Sequence, residues 1–155
     1  MSNEVFVDSS ILIEYRKGNK TEILEALLVH RGIDLYINQS VVSEYLFHHL
    51  ALFGGKSPLA IKEKDLIPEI FAKHDPASFL KLFSLSAQKD EIIELSINYM
   101  QNFNLLPNDA LILSSCKSNG IIALASFDVD FVYPCAKENI HLIQDLQSLE
   151  AFLAG

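Results

Sequence analysis

Four acidic side chains stand where a carboxylate could do chemistry. Asp8 directly follows the apolar run 5–7, and Asp128 comes shortly after a second apolar run, at 121–126. Glu44 and Asp109 come early in two segments with helical periodicity. In open parallel sheets, ligands bind outside the carboxyl ends of the strands, so acids at strand ends and helix starts share one edge. The four positions therefore predict one cluster of carboxylates.

Each acid also has a plain structural explanation when it is taken alone. Asp8 could cap the helix that follows it, because Ser and Asp are favoured N-caps. Asp109 could serve the helix dipole, although it heads the apolar stripe of its helix, where a surface acid is not expected. Glu44 resembles an ordinary solvated helix residue. Only the convergence of all four favours a functional site.

A cluster of four carboxylates requires a counter-charge, because like charges repel and some of the groups would otherwise take up protons. Mg²⁺ and Mn²⁺ prefer carboxylate and water oxygens as ligands. A cation of this kind can activate a water and stabilise charge that develops on a phosphoryl group. The pattern is therefore suited to phosphodiester hydrolysis and needs neither His nor Cys as a ligand.

Alternating strands and helices position these acids. Short apolar strands separated by helices predict a parallel sheet covered on both faces. The expected strands lie near 4–7, 34–38, 121–126 and 140–144. The expected helices lie near 11–17, 21–32, 41–53, 63–73, 89–103, 108–119 and 146–153, while 79–85 is ambiguous. Ser40 is expected to cap the helix at 41–53, and Gly32 to end the helix at 21–32.

Composition limits the class of protein. The chain has 155 residues, half of them hydrophobic and 21% charged, which predicts one globular domain. The net charge of −8 argues against passive binding of nucleic acid, but not against an enzyme that meets phosphate through bound cations. No segment approaches the roughly 18 apolar residues of a membrane span. No secretory signal is visible, and Cys116 and Cys135 have neither metal-site nor redox-motif spacing, so a cytoplasmic protein is expected.

The sequence resembles the PIN-domain nucleases, and within them the VapC-type toxins of toxin–antitoxin pairs. VFVDSSILIEY is similar to the family's opening strand, acid and following turn, and SVVSEYLFH to its second-acid helix. LPNDALILSSCKSNGIIALASFDVDF is similar to its third acid, helix, strand and closing motif. This last segment is the most specific, because few αβ proteins combine an N-D-A-L helix start with S-x-D-x-D-F at this distance.

The resemblance implies a site of catalytic acids that bind Mg²⁺ or Mn²⁺, namely Asp8, Glu44, Asp109 and Asp128. Asp130 would be an accessory or structural acid beside them. Ser126 stands where the family usually has Thr and keeps the hydroxyl. Ser10 stands where Asn or Ser is usual, within reach of the metal or its water.

The resemblance also implies an activity and partners. The chain would be an endoribonuclease in which water attacks the phosphorus in line and leaves a 3′-hydroxyl. It would be the toxin component of a type II pair, with RNA as substrate, a cognate antitoxin protein as partner, a homodimer as its assembly and no membrane association. The fold would be a single PIN-like α/β domain over residues 1–155. Because the interval between Glu44 and Asp109 is long for such a toxin, a helical insertion is expected at about 54–104, as a clamp over substrate or a dimer contact.

Other readings of the same residues remain open. The chain could be a non-catalytic α/β module that binds a cation, as a phospho-receiver domain does, but DLYINQS ends its strand without an acid and no Lys follows IIALAS. A dehalogenase-type phosphatase would require Asp where Ser10 stands. A PIN module used only to bind RNA or protein is a third possibility. His48 and His49 suit packing more than catalysis, and the basic group Lys56, Lys62, Lys64 and Lys73 suits a solvated face more than RNA phosphates.

Overall fold

A five-stranded parallel sheet forms the centre of the computed structural model, which describes residues 3–155. The strands are β1 (Asn3–Val7), β2 (Ile33–Ile37), β3 (Ser84–Leu85), β4 (Ala123–Ala125) and β5 (His141–Ile143). They lie in the order β3-β2-β1-β4-β5, and all of their pairings are parallel. The predicted α/β fold with a central parallel sheet is confirmed.

Ten α-helices surround this sheet in the described part of the chain. They are α1 (Ser9–Arg16), α2 (Glu22–Val29), α3 (Gln39–Gly54), α4 (Pro58–Glu63), α5 (Ile67–Lys73), α6 (Ala77–Leu80), α7 (Glu91–Phe103), α8 (Pro107–Asn119), α9 (Val132–Glu138) and α10 (Leu146–Ala154). A short 3₁₀ turn at Val129–Phe131 precedes α9. None of the helices described is both long enough and apolar enough to cross a bilayer.

The central strand β1 determines where the carboxyl-end edge of the sheet lies. Val5, Phe6 and Val7 are fully buried, as expected for a strand covered on both faces. The parallel hydrogen bonding continues past the strands, because the Asp8 amide donates to the Ala125 carbonyl at 2.9 Å. The chain therefore leaves β1 and β4 at the same level, and the residues that follow the two strands lie side by side.

Asn38, rather than Ser40, caps helix α3. The predicted cap is wrong because the helix begins at Gln39, so the residue before it is Asn38, another favoured cap. Its Oδ1 accepts from the Val41 amide at 3.0 Å. Its Nδ2 donates to Ser115 Oγ of α8 at 3.0 Å and lies 3.4 Å from the Leu111 carbonyl. One buried amide thus joins the two helices that carry Glu44 and Asp109.

The segment between Glu44 and Asp109 contains helices α4 to α7, joined by loops, and the short strand β3. The helix predicted at 63–73 is confirmed only from Ile67, as α5, and Glu63 is instead the last residue of a separate helix, α4. Pro68 lies in the first turn of α5, where it restricts the preceding residue and lacks the amide hydrogen that a continuous helix needs. Asp65, in the left-handed conformation with φ 55°, forms the turn between them. The ambiguous stretch at 79–85 contains the end of α6 and all of β3.

Two further differences lie at helix ends. Helix α2 stops at Val29 instead of Gly32, because His30 turns extended and its Nδ1 accepts from the Gly32 amide at 3.2 Å. The 3₁₀ turn and α9 were not predicted from the sequence. They are short, and Pro134 falls in the first turn of α9, where proline is tolerated although it usually signals a break.

Asn38→Ala is expected to lower the free energy of unfolding by about 2–3 kcal/mol, since it removes a helix cap and leaves buried partners in α8 unsatisfied. Urea unfolding followed by circular dichroism measures this. Gln39→Ala, at the exposed first residue of the same helix, is the matched control and should stay within about 0.5 kcal/mol of wild type. Equal losses in the two variants would contradict the assigned role of Asn38.

Candidate active site

Asp8 occupies the N-cap position of α1, yet its side chain makes no capping hydrogen bond. The simple capping explanation therefore does not account for this residue. The carboxylate is 4% exposed and accepts hydrogen bonds from hydroxyl groups instead. Ser126 Oγ donates to Oδ2 at 2.7 Å and Ser10 Oγ donates to the same oxygen at 2.8 Å. Oδ1 has only a long contact of 3.4 Å, from Ser9 Oγ.

The same hydroxyls also fix the loop after β4. Ser126 Oγ accepts from the Asp128 amide at 3.0 Å, and Ser10 Oγ accepts from the Phe127 amide at 3.1 Å. Asp8 is thus linked through two serines to the backbone that carries Asp128. The hydroxyls orient its carboxylate so that Oδ2 is fully used and Oδ1 is left for another partner.

Three acids form the tightest group at this edge. One carboxylate oxygen from each of Asp109, Asp128 and Asp130 lies within 4.8 Å of the others. Asp128 Oδ1 also accepts from the Asp130 amide at 2.9 Å, which holds the two residues in one turn. Asp130, expected only as an accessory, therefore stands in the same group as two of the principal acids. We call Asp109, Asp128 and Asp130 the carboxylate trio.

Asp8 and Glu44 lie outside the trio but interact with it electrostatically. Burial is the largest cause that raises the pKa of Asp109 to about 7, and the carboxylates of Asp128, Asp8, Glu44 and Asp130 contribute the rest of the shift. Burial also raises the pKa of Glu44, with Asp8 as the next cause, while the Ser9 hydroxyl opposes the shift. The structure therefore brings all four predicted acids and Asp130 into one electrostatically coupled cluster.

The donor set fits a hard divalent cation. Every candidate ligand is a carboxylate or hydroxyl oxygen, as Mg²⁺ and Mn²⁺ prefer. Within residues 3–155, none of the five acids forms an ion pair with Lys or Arg. Burial and the neighbouring carboxylates instead raise the pKa of Asp109, which favours its protonated form. The ion could be held by carboxylate oxygens of Asp109, Asp128 and Asp130 together with Oδ1 of Asp8.

The two adjacent histidines differ in their surroundings. His49 is buried, its Nε2 lies 2.6 Å from the His74 carbonyl, and its Nδ1 lies 3.2 Å from Tyr45 Oη. Burial lowers its pKa, and the residue packs α3 against the end of α5. His48 is exposed one turn after Glu44 and slightly opposes the rise in the pKa of Glu44.

Ser9 is a site residue that sequence reasoning did not single out. It is buried at the first position of α1, and its hydroxyl faces both Asp8 and Glu44. The signal that could have found it is its place beside Asp8 at a helix start. A residue at that position is oriented by the same backbone turn through which the chain leaves the sheet.

Residues 5–136 match the PIN domain family. The chain belongs to the PIN-domain family. It is 37% identical over 134 residues to Ribonuclease VapC2 of Methanocaldococcus jannaschii, which covers 83% of this chain and 87% of the relative. It is 32% identical over 139 residues to Ribonuclease VapC6 of the same organism, with 83% and 91% covered. The resemblance to VapC-type PIN proteins is confirmed, and the matched range includes all five acids.

In the cation-free protein, Asp109→Asn is expected to raise the free energy of unfolding at pH 8 by about 1–2 kcal/mol. The native pKa is about 7 against an ordinary 3.8, so between these values the native state holds a proton that the unfolded chain has released. The wild type therefore loses stability as pH rises through this window, whereas the amide does not titrate.

The gain should shrink toward zero as pH falls below 3.8, where the carboxyl becomes protonated in both states. Urea unfolding in chelator across this pH range measures it. Asp90→Asn, at the exposed start of α7 where the side chain makes no capping bond, is the control. A gain for Asp109→Asn that does not change with pH would exclude the electrostatic cause.

Proposed function

We propose that this protein is a metal-dependent endoribonuclease that hydrolyses RNA phosphodiester bonds. The observation that carries the proposal is the carboxylate trio, with oxygens within 4.8 Å of one another, beside the serine-held carboxylate of Asp8. Both relatives are named ribonucleases, which supports the same activity here.

The residues of the acidic cluster have different roles in the proposed reaction. Asp109, Asp128 and Asp130 would hold Mg²⁺ or Mn²⁺, with Oδ1 of Asp8 completing the set. Such a cation, when bound, supplies Lewis acidity toward the phosphoryl oxygens and makes water a better nucleophile. Ser10 and Ser126 hold Asp8 in place by their hydrogen bonds to Oδ2. Glu44, with its raised pKa, would accept a proton of the water as it attacks the phosphorus, the P–O3′ bond would break to leave a 5′-phosphate, and the leaving 3′-oxygen would take a proton from solvent to become the 3′-hydroxyl.

This division differs from the sequence-based prediction in one respect. That prediction has Glu44 as a ligand and Asp130 as an accessory acid. The closeness of Asp130 to Asp109 and Asp128 supports its assignment as a ligand. Glu44 lies outside the trio, which supports a role in proton transfer.

The protein would act as the toxin of a type II toxin–antitoxin pair. Support comes from the VapC-type resemblance and from the names of the two relatives. The proposal includes a cognate antitoxin protein and a homodimer. Ile93, Ile97 and Met100, exposed along α7, are apolar surface that such contacts could use. Whether the adjacent reading frame encodes a small antitoxin-like protein, and whether co-expressing it relieves growth arrest, tests the toxin assignment.

Purified protein is expected to cut total cellular RNA in Mg²⁺ or Mn²⁺ and to stop when EDTA is added. Asp8→Asn and Asp109→Asn should each lower the cleavage rate by at least about 100-fold, because each removes a charge from the cluster. Asp90→Asn, purified in parallel, should cut as wild type does. Cleavage that survives both EDTA and Asp8→Asn would refute the proposal. Cation binding without any cleavage would favour the non-catalytic module instead.

Ser126→Ala is expected to weaken Mn²⁺ binding by about 10- to 100-fold, because Asp8 loses the hydroxyl that orients it. Ser126→Thr keeps a hydroxyl and should restore most of the affinity. Calorimetric titration with Mn²⁺ measures both. Ser114→Ala is the matched control, since it removes an equally buried hydroxyl that bonds only within α7 and α8. Similar losses for Ser114→Ala and Ser126→Ala would mean that the effect is one of stability.

A further inference from the structure

A cleft of about 520 Å³ opens at the carboxyl ends of β4 and β5. Its volume lies within the range of small-ligand sites. Three parts of the chain line it: the turn before α2 with the start of that helix, the loop after β4, and the start of α10. The lining residues are Lys20, Glu22, Ile23, Phe127, Gln144, Asp145, Leu146 and Gln147.

Phe127 connects this cleft to the acids. It stands between Ser126, whose hydroxyl holds Asp8, and Asp128 of the carboxylate trio. Its own amide donates to Ser10 Oγ at 3.1 Å. The hydrogen bonds that orient Asp8 therefore also fix the backbone that presents the Phe127 ring to the cleft. The cleft is therefore joined to the acidic site through the backbone of a single residue.

The ring is paired with a cation. Lys20 Nζ lies 5.0 Å from the centre of the Phe127 ring. An aromatic face beside a positive side chain is the combination with which proteins bind single-stranded nucleic acid, because bases stack on the ring and the cation meets the backbone.

The charges of the cleft favour an uncharged group inside it. Glu22 and Asp145 oppose Lys20, so the cleft carries no net positive charge to hold a phosphate by itself. Asp145 is already used by α10, since its carboxylate accepts from the Ser148 amide at 2.8 Å. A nucleobase is flat and uncharged, and it matches the apolar floor formed by Phe127 and Leu146.

Two amides are free to contact the edge of a base. The side chains of Gln144 and Gln147 make no hydrogen bond to other residues in the range 3–155. Each amide can both donate and accept, as recognition of a base edge requires. Stacking on one side and amides at the rim give the cleft both parts of a base-binding site.

We propose that this cleft is a nucleobase subsite, in which an unpaired base next to the scissile phosphate of the RNA stacks on Phe127. Lys20, whose Nζ lies over the ring in the free protein, moves off the ring face to contact the backbone of that nucleotide, and Gln144 and Gln147 contact the base edge. The inference rests on the proposed ribonuclease function and adds to it the residues that would hold one base of the substrate.

Steady-state cleavage of a short single-stranded oligoribonucleotide tests the subsite. Phe127→Leu keeps apolar packing but loses the ring, so KM should rise about 10-fold with kcat within about 2-fold of wild type. Phe127→Tyr should behave as wild type, and Lys20→Ala should raise KM by a smaller factor. The controls are Ile122→Ala, at the other end of β4 and 61% exposed, and Lys81→Ala, an exposed lysine outside the cleft.

A binding measurement separates this proposal from the function on which it rests. In the Asp8→Asn background, oligonucleotides with 2-aminopurine at successive positions should show fluorescence quenching at one position, and Phe127→Leu should remove it. If wild type cuts RNA while the Phe127 variants keep its KM and its quenching, the subsite is wrong and the function stands. If wild type cuts nothing, the function fails, and quenching alone decides the subsite. Absent quenching, together with loss of antitoxin co-purification in Phe127→Leu, would assign the cleft to a protein partner and overturn the proposal.

Discussion

Mutual repulsion among carboxylates at one edge of the sheet is the constraint on which the rest of this structure depends. The carboxylates of Asp8 after β1, Glu44 in α3, and Asp128 and Asp130 after β4 add to burial, the largest cause, in raising the pKa of Asp109 in α8 to about 7. The groups stay together because rigid elements hold their backbones: the fully buried strand β1, the parallel bonding to β4, and the Asn38 amide between α3 and α8.

The parts of the site that could be predicted from sequence are those set by strand ends. Asp8 and Asp128 were recognisable because short apolar runs stop just before them, and parallel strands end at a common edge. Asp109 was recognisable because it heads an apolar helical stripe. These are local patterns whose consequence is fixed by the α/β architecture. The motif resemblance added the order of the acids and the identity of the family.

What could not be predicted depends on contacts between distant segments. The choice of Asn38 over Ser40 as the cap follows from its bond to Ser115 in α8, a residue far along the chain. The closeness of Asp130 to Asp109 follows from the turn that Asp128 makes with the Asp130 amide. The break between α4 and α5 was visible in Pro68, but the apolar periodicity on both sides concealed it. Single-sequence patterns specify elements better than the junctions between them.

The net negative charge of the chain limits the ways in which it could bind a polyanion. A net charge of −8 and an acidic edge argue against attraction of a polyanion by a basic surface, since that mode of binding rests on neutralising phosphates. On the proposed function, cations held by the carboxylates must supply that neutralisation, and uncharged contacts such as stacking on Phe127 must supply the remaining affinity. The same cations also reverse the repulsion. A ligand that binds only the native state stabilises it by about 2.7 kcal/mol at a hundred times its dissociation constant, which is comparable to the cost of ionising Asp109. Cation binding and folding would then be linked equilibria. The repulsion among the acids would lower the free energy of unfolding without the ion, and the same negative charges would bind the ion.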